Sequence, residues 1–329
     1  MKSKILKLLV ASCFLGLLPF KTVALNYTIT FTGTGASTTV ESVTVQNLTK
    51  GTSVTVPAVN VLNLSDGVFT VDQLITTMTY TAGDHLLYKG ISGNYSTIVT
   101  DVPTGNKTTN FNFVACMDAD GNNYTVVTIG TQTWMAENLK TTQYNDATAI
   151  PNVTDNTSWA NLTTGAYSWY NNDAATYKNT YGALYNWYTV NTGKLAPKGW
   201  HVPIDAEWTT LENYLTANGY NNDGSTSGDN YAKSLAATTY WATDSGTGTI
   251  GNDLIKNNSS GFSALPGGNC SGSGGVFTNV GDCSFWWSST EYNMDDAWFR
   301  YVYYCGSNVV RVSGSKQIGI SVRCVRDSQ

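Results

Sequence analysis

All ten tryptophans of this 329-residue chain lie at or beyond Trp134. Indoles bury more apolar surface than other side chains, so a unit that contains them builds its core around them. The chain therefore divides into a tryptophan-free N-terminal part and a part whose core rests on indoles. A length of about 330 residues agrees with two domains. The change of character falls at Ala115-Cys116, which sets units at 25–115 and 116–329 behind a leader at 1–24.

The leader explains itself. Lys2, Lys4 and Lys7 precede an apolar run from Leu8 to Phe20, and Thr22-Val23-Ala24 supplies small residues. This pattern predicts a secretory signal peptide cleaved after Ala24. The run is short of the about 20 apolar residues that a membrane span needs, so no membrane span is expected. Val10-Ala11-Ser12-Cys13 has the form of a lipoprotein cleavage box, but the apolar run continues past Cys13. The expected location is secreted or the outer cell surface. Charged residues make up only 12% of the chain, against about 25% in ordinary soluble domains. The net charge of −5, with no cationic cluster after the leader, excludes nucleic acid as the main partner.

In the first unit, short alternating runs recur between turn signals. They are Tyr27–Phe31, Val43–Val45, Val54–Val56, Val68–Val71, Leu86–Tyr88, Thr97–Val99 and Phe111–Phe113. Such spacing predicts a small all-β sandwich-like domain, and nothing in it suggests chemistry, so it reads as a spacer or interaction module.

The second unit is organised around Leu195–Leu215. Pro203 keeps Gly199-Trp200-His201-Val202 extended. Asp205 is then a candidate N-cap, and Trp208, Leu211 and Leu215 form one apolar stripe at helical spacing. Asn218-Gly219 stops the helix. Tyr181, Leu184, Tyr185 and Tyr188 predict a second helix capped at Asn179 or Thr180. Strands are expected at Tyr124–Gly130, at Gly261–Leu265 running into a turn, at Phe285–Glu291, Ala297–Tyr304 and Val309–Val312, and at Ile318–Val325. Helices followed by antiparallel strands argue for an α+β domain. Asp118-Ala119-Asp120-Gly121-Asn122 has the opening spacing of a calcium loop, but no closing glutamate or flanking helix follows, so a hairpin turn is expected.

An exported chain favours disulfides. Five cysteines follow the leader. Cys270 with Cys283 would close a Gly- and Ser-rich loop, and Cys305 with Cys324 is a second candidate pair. Cys116 with Cys324 competes. Zinc is not expected, since only His85 and His201 are available and no Cys-x-x-Cys pair exists.

Six segments carry a resemblance: Tyr124–Leu139, Tyr181–Trp187, Gly199–Pro203, Gly261–Gly268, Trp287–Glu291 and Ser321–Asp327. In this order they resemble the Fibrobacter succinogenes major paralogous domain, over about Cys116 to the C-terminus. The resemblance implies a C-type lectin-like fold related to the formylglycine-generating and sulfatase-modifying branch. It also implies a secreted bacterial surface protein. Gly199–Trp208 is similar to that branch's Arg-Leu-Pro-Thr-Glu-Ala-Glu-Trp signature. The Trp-Ser-Ser and Ser-Val-Arg elements resemble the variable ligand-binding proteins of diversity-generating retroelements. Family members often carry cysteine where this chain has Ser168 and Ala196.

The expected function is therefore a non-catalytic binding or adhesion protein. It would display loops and C-terminal strands to an extracellular glycan or surface protein. The candidate ligand-binding residues are Glu291, Asn293, Asp295, Asp296, Trp298, Arg300, Tyr303, Asn308 and Arg311, because aromatic faces flanked by amides and charges suit sugar rings or peptide. Alternation places Trp298, Arg300 and Val302 on one face, and Arg300 argues that this face is exposed. No cofactor is required, although the oxygens of Glu291–Asp296 could hold calcium. Two other readings stand: a structural component of the cell surface, and an oxidative enzyme of the formylglycine-generating type, which would need a reactive cysteine pair or a metal cluster. No catalytic or metal-ligating residue is assigned.

Overall fold

The structure is a computed structural model that describes residues 25–58, 61–67 and 75–328. The expected signal peptide and the Val68–Val71 strand lie outside the described residues.

Among the described residues, eight strands precede Cys116: β1 (Asn26–Gly35), β2 (Ser42–Asn47), β3 (Thr52–Val56), β4 (Val61–Ser65), β5 (Thr76–Thr79), β6 (Leu86–Ser92), β7 (Tyr95–Asp101) and β8 (Lys107–Phe113). One four-stranded sheet has the order β5-β4-β1-β8. Its Ile29, Phe31, Leu62, Leu64, Phe111 and Phe113 pack against Val43, Val45, Val56, Leu86 and Tyr88 of a second sheet. Each strand contributes alternate residues, as two packed sheets require. In β6 the burial is nearly continuous: Leu86 and Tyr88 face this sandwich, whereas Leu87 faces a second core. A strand covered on both faces loses its polar alternation.

The second core belongs to the later residues. Strands β9 (Val126–Ile129), β10 (Gln132–Met135), β11 (Tyr167–Ser168), β12 (Leu184–Tyr185), β13 (Trp200–His201), β14 (Gly267–Cys270), β15 (Phe277–Val280), β16 (Cys283–Glu291), β17 (Asp296–Tyr303), β18 (Val310–Ser315) and β19 (Val325–Arg326) follow. Helices α1 (Asn156–Ala160), α2 (Ala174–Tyr181), α3 (Trp187–Val190), α4 (Asp205–Ala217) and α5 (Ala232–Leu235) are interspersed. The architecture is rich in sheet and has few helices. The second sheet of the sandwich continues across the expected boundary, in the order β13-β19-β10-β9-β7-β6-β2-β3, through parallel pairing of Thr97 with Val126 and Ile98 with Val127. The two units thus share one eight-stranded sheet.

Helix α4 carries the expected stripe: Trp208, Leu211 and Leu215 are buried, and the Trp208 ring lies 4.8 Å from that of Trp134. Its cap differs from expectation. Ile204 is the N-cap residue and its N–H is satisfied by Glu207 Oε2 at 2.9 Å, so Asp205 sits in the first turn and its carboxylate is free for other partners.

The helix expected from Tyr181 to Tyr188 does not form as one element, because α2 ends at Tyr181 and α3 begins only at Trp187. Helix α2 starts earlier, capped by Asp173, whose side chain accepts from Thr176 N–H, and it ends at Gly182. Gly182 has φ +78°, and a Cβ there would stand 2.7 Å from the Leu139 carbonyl oxygen. The close approach turns the chain out of the helix, and Leu184-Tyr185 continue as strand β12. A similar inversion occurs at Gly261–Gly268. Gly261 and Ser263 take positive φ in a turn, and the strand begins only at Gly267. Within Ile318–Val325, only Val325 belongs to a named strand; Gly319, Ile320 and Ser321 make single bridges to Cys270, Tyr185 and Trp286.

No disulfide is formed among the described residues. The expected Cys270–Cys283 loop closure fails because Cys270 points into a buried cluster with Trp159 and Tyr170. Cys305 is exposed whereas Cys324 is fully buried, which separates that pair as well.

Candidate functional site

Strands β16, β17 and β18 form a three-stranded antiparallel sheet beside α4. Trp298, Arg300 and Val302 share a face, as alternation requires, but the inference that Arg300 is exposed is overturned. Helix α4 covers it: Arg300 is 0% exposed and donates from Nη1 to Asp205 Oδ1 at 2.7 Å and from Nε to Glu212 Oε1 at 2.6 Å. A guanidinium can enter such a site because two carboxylates meet its planar fork. Burial raises the Glu212 carboxyl above its ordinary value despite Arg300. For Asp205 burial also acts upward, but the hydrogen bonds from Arg311 and Arg300 outweigh it and lower the carboxyl.

Asp205 also reaches the surface. Arg311 lies opposite Arg300 on β18 and donates to both Asp205 oxygens, with Nη2 2.9 Å from Oδ2. Its guanidinium carbon stands 3.4 Å from the Trp298 ring centroid. The Tyr292 ring meets Trp298 edge-on at 4.7 Å. Arg311 is therefore clamped between a carboxylate and an indole, with its side chain 45% exposed. Tyr292 and Met294, at 53% and 86%, are among the exposed large apolar residues of the chain. Exposed Ile204 adjoins this corner, because the next residue, Asp205, donates its N–H to Thr290 Oγ1 at 2.9 Å.

The loop between β16 and β17 is held from below. Buried Lys316 donates to Glu291 Oε1 and to the Met294 carbonyl, the latter at 2.6 Å. Asn293 Oδ1 accepts from Asp295 N–H and Asp296 N–H, each at 2.8 Å, and Asn293 Nδ2 donates to Asp296 Oδ2. Of the side-chain oxygens considered for calcium, Glu291 Oε1, Asn293 Oδ1 and Asp296 Oδ2 are thus engaged in holding the loop. No group of three or more His, Cys, Asp or Glu is gathered as a metal site among the described residues. Asp118 behaves similarly: it accepts from the N–H groups of Asp120 and Asn122 and from Tyr124 Oη, and so closes a hairpin turn.

The expected site residues therefore separate into three groups. Glu291, Asn293, Asp295, Asp296, Trp298 and Arg311 come together at one corner. Arg300 lies beneath it. Tyr303 falls on the opposite face of β17 with its ring over Gly306, and Asn308 lies in the turn before β18, at the far end of the strands. Asp205, Lys316, Tyr292 and Met294 were missed. The last two alternate with named residues in the same loop, whose oxygen-bearing side chains are the stronger sequence signal.

A further charged group lies at the start of α4. His201 Nδ1 stands 2.6 Å from Asp327 Oδ1, and Nε2 stands 2.8 Å from Glu207 Oε1. The hydrogen bond to Glu207, aided by Asp327 and opposed by burial, pushes the imidazole up to about 9. An imidazolium held by two carboxylates ties the C-terminal residues to α4.

These features define a β-rich protein in which a helix-backed sheet presents a pinned cation–aromatic corner. The Fibrobacter succinogenes major domain family matches residues 127–326, and the chain belongs to that family. No curated protein matches the chain. No helix among the described residues is long and apolar enough to cross a membrane.

Proposed function

We propose that this chain is a non-catalytic binding protein of the cell exterior. In this reading, a C-type lectin-like second unit presents the corner of Tyr292, Met294, Trp298 and Arg311 to a glycan or a surface protein. The observation that carries it is the clamp on Arg311. A ring and a cation whose rotamers are already held lose little entropy on binding. Exposed aromatic and methionine side chains beside them supply apolar contact area of the kind found at interaction surfaces. The leader-like N-terminus and the low charge content favour the exterior location.

Screening the full chain against glycans and surface proteins, with and without calcium, tests the reading. Binding that falls at least tenfold in Trp298→Ala and Met294→Ser, without loss of folding, is the expected result. No ligand at millimolar concentration, where binding is worth only about −4 kcal/mol, would favour a structural role instead.

A further inference from the structure

A cleft of about 440 Å³ opens where the sandwich meets the second unit, remote in sequence from the Trp298 corner. Its size falls within the range of small-ligand sites. Thr44, Gln46 and Lys89 of β2 and β6 contribute from the first unit. Lys140, the end of α2 at Lys178–Thr180, and the loop Ala237–Tyr240 contribute from the second.

Three of its side chains are ammonium groups: Lys89, Lys140 and Lys178. None of them has a carboxylate partner among the described residues. Apart from Lys198 and the buried Lys233, every other lysine of the described residues sits in an ion pair. Three cations without a carboxylate partner thus line one cleft, with Lys140 Nζ 5.7 Å from the Tyr124 ring centroid and Lys178 Nζ 5.3 Å from that of Trp169, while Lys198, Arg323 and Arg326 lie outside it. The cleft holds one opposing charge, Glu137, whose Oε1 is engaged by Thr125 N–H and Oγ1 at 3.2 and 2.5 Å.

The remaining lining is suited to sugar. Tyr240 projects 60% exposed, with its ring 5.9 Å from that of Tyr181. It holds φ +70°, a region that bulky residues seldom occupy and that tends to mark functional positions. Ser263, also lining the cleft, has φ +60°, and its carbonyl is fixed by Arg323 Nη2 at 2.8 Å. Hydroxyls and amides of Thr44, Gln46, Asn179 and Thr238 complete the walls.

We propose that this cleft binds a carboxylate-bearing glycan chain, with the three lysines facing its acid groups and Tyr240 stacking on a sugar ring. Lysine is a flexible point charge, which matches carboxylates that recur along a chain. Two units would then grip one ligand through their shared sheet.

Calorimetric titration of the full chain with a galacturonate tetramer, its fully methyl-esterified form and a neutral tetrasaccharide tests this. The acid form is expected to bind, the ester and the neutral sugar to bind at least tenfold more weakly, and the affinity to fall between 50 and 300 mM salt, roughly as screening of the exposed charges requires. The triple variant Lys89→Gln, Lys140→Gln, Lys178→Gln should bind at least tenfold more weakly. Lys89→Gln alone, which removes no ring or carboxylate contact, should lose about threefold and remain folded, at a cost consistent with one exposed charge contact. Trp298→Ala should leave this binding unchanged, which separates the cleft from the corner above. Equal binding of acid and ester, no binding of the acid, preference for a sulfated glycan over galacturonate, or full affinity in the lysine variants would overturn the proposal.

Discussion

Arg323 donates from Nε to Asn138 Oδ1 at 2.9 Å, across 185 positions of sequence. The same oxygen accepts from Trp286 Nε1 at 3.1 Å, and Asn138 Nδ2 donates to the Tyr181 carbonyl and to Ser321 Oγ. Arg323 also donates to the Phe262 carbonyl and lies 4.3 Å over the Phe262 ring. Segments that carry the family resemblance, around Asn138, Tyr181, Phe262 and Arg323, thus meet in one buried polar network. Burial pushes the Arg323 guanidinium down to about 9, and no carboxylate pairs with it among the described residues. Its charge is solvated by carbonyl and amide oxygens instead.

Replacing Asn138 by Ala removes the hub and leaves buried donors of Arg323 and Trp286 unmet. The expected loss is about 3 kcal/mol, because an unpaired buried group forfeits its solvation. Urea denaturation measures it. A change below about 0.5 kcal/mol would mean that the network is not a unit.

Trp208 is 2% exposed, against Trp134, Phe262 and Trp286, and Trp200 donates from Nε1 to the Ala115 carbonyl at 2.9 Å. Substituting either by Ala should cost about 3–5 kcal/mol through lost burial and the cavity left behind. An unchanged denaturation midpoint for both would show that neither anchors the core.

Arg300 and Trp298 stand two residues apart and should behave oppositely. Arg300→Ala leaves Asp205 and Glu212 without their buried cation and should destabilise by about 3–5 kcal/mol. Trp298 is only partly buried, and Trp298→Ala should cost about 1 kcal/mol. Equal stabilities of the two variants would contradict the burial of Arg300 under α4.

His201 makes stability fall as pH rises. Its pKa is raised to about 9 from the ordinary 6.5, so the folded chain holds a proton that the unfolded chain has released between these values. The stabilisation is complete below about pH 6.5 and disappears as pH climbs through 9. Because the side chain is 38% exposed, solvent screening limits the effect to about 1 kcal/mol. Denaturation midpoints at pH 6 and 9.5 should differ in the parent and converge in His201→Gln; an equal slope in the variant would assign the effect elsewhere.

In the reduced protein, Cys305 should alkylate within minutes, since it is exposed, a condition for thiol reactivity. Burial pushes the Cys270 thiol up to about 12 and raises those of Cys116 and Cys324 too, so these three should react only on unfolding. Mass mapping of the labelled sites checks it, and early labelling of Cys324 would refute the buried placement.

Much of this organisation was legible in the residues, because it rests on local periods. Alternation located most of the strands, the 3.6-residue stripe located α4, and six ordered segments carried the family. Where the reading failed, one glycine or one distant partner decided. Tyr181, Leu184, Tyr185 and Tyr188 have helical spacing, yet Gly182 packs against the Leu139 carbonyl and breaks the helix. Asp205 has the chemistry of an N-cap, yet two arginines from strands about a hundred residues away claim it.

The sequence by itself determined the sheet-rich class, the stripe of α4 and the family, since each is written in nearest-neighbour spacing or composition. Only the tertiary structure decided which face of β17 is covered and which lysines share a cleft. Period two states that Trp298 and Arg300 lie on one side of a strand, but not what lies over it. That depends on the helix carrying Asp205 and Glu212, which docks there to bury Trp208. Likewise Lys89, Lys140 and Lys178 become neighbours through the parallel pairing of β7 with β9, a contact between units that no local pattern records.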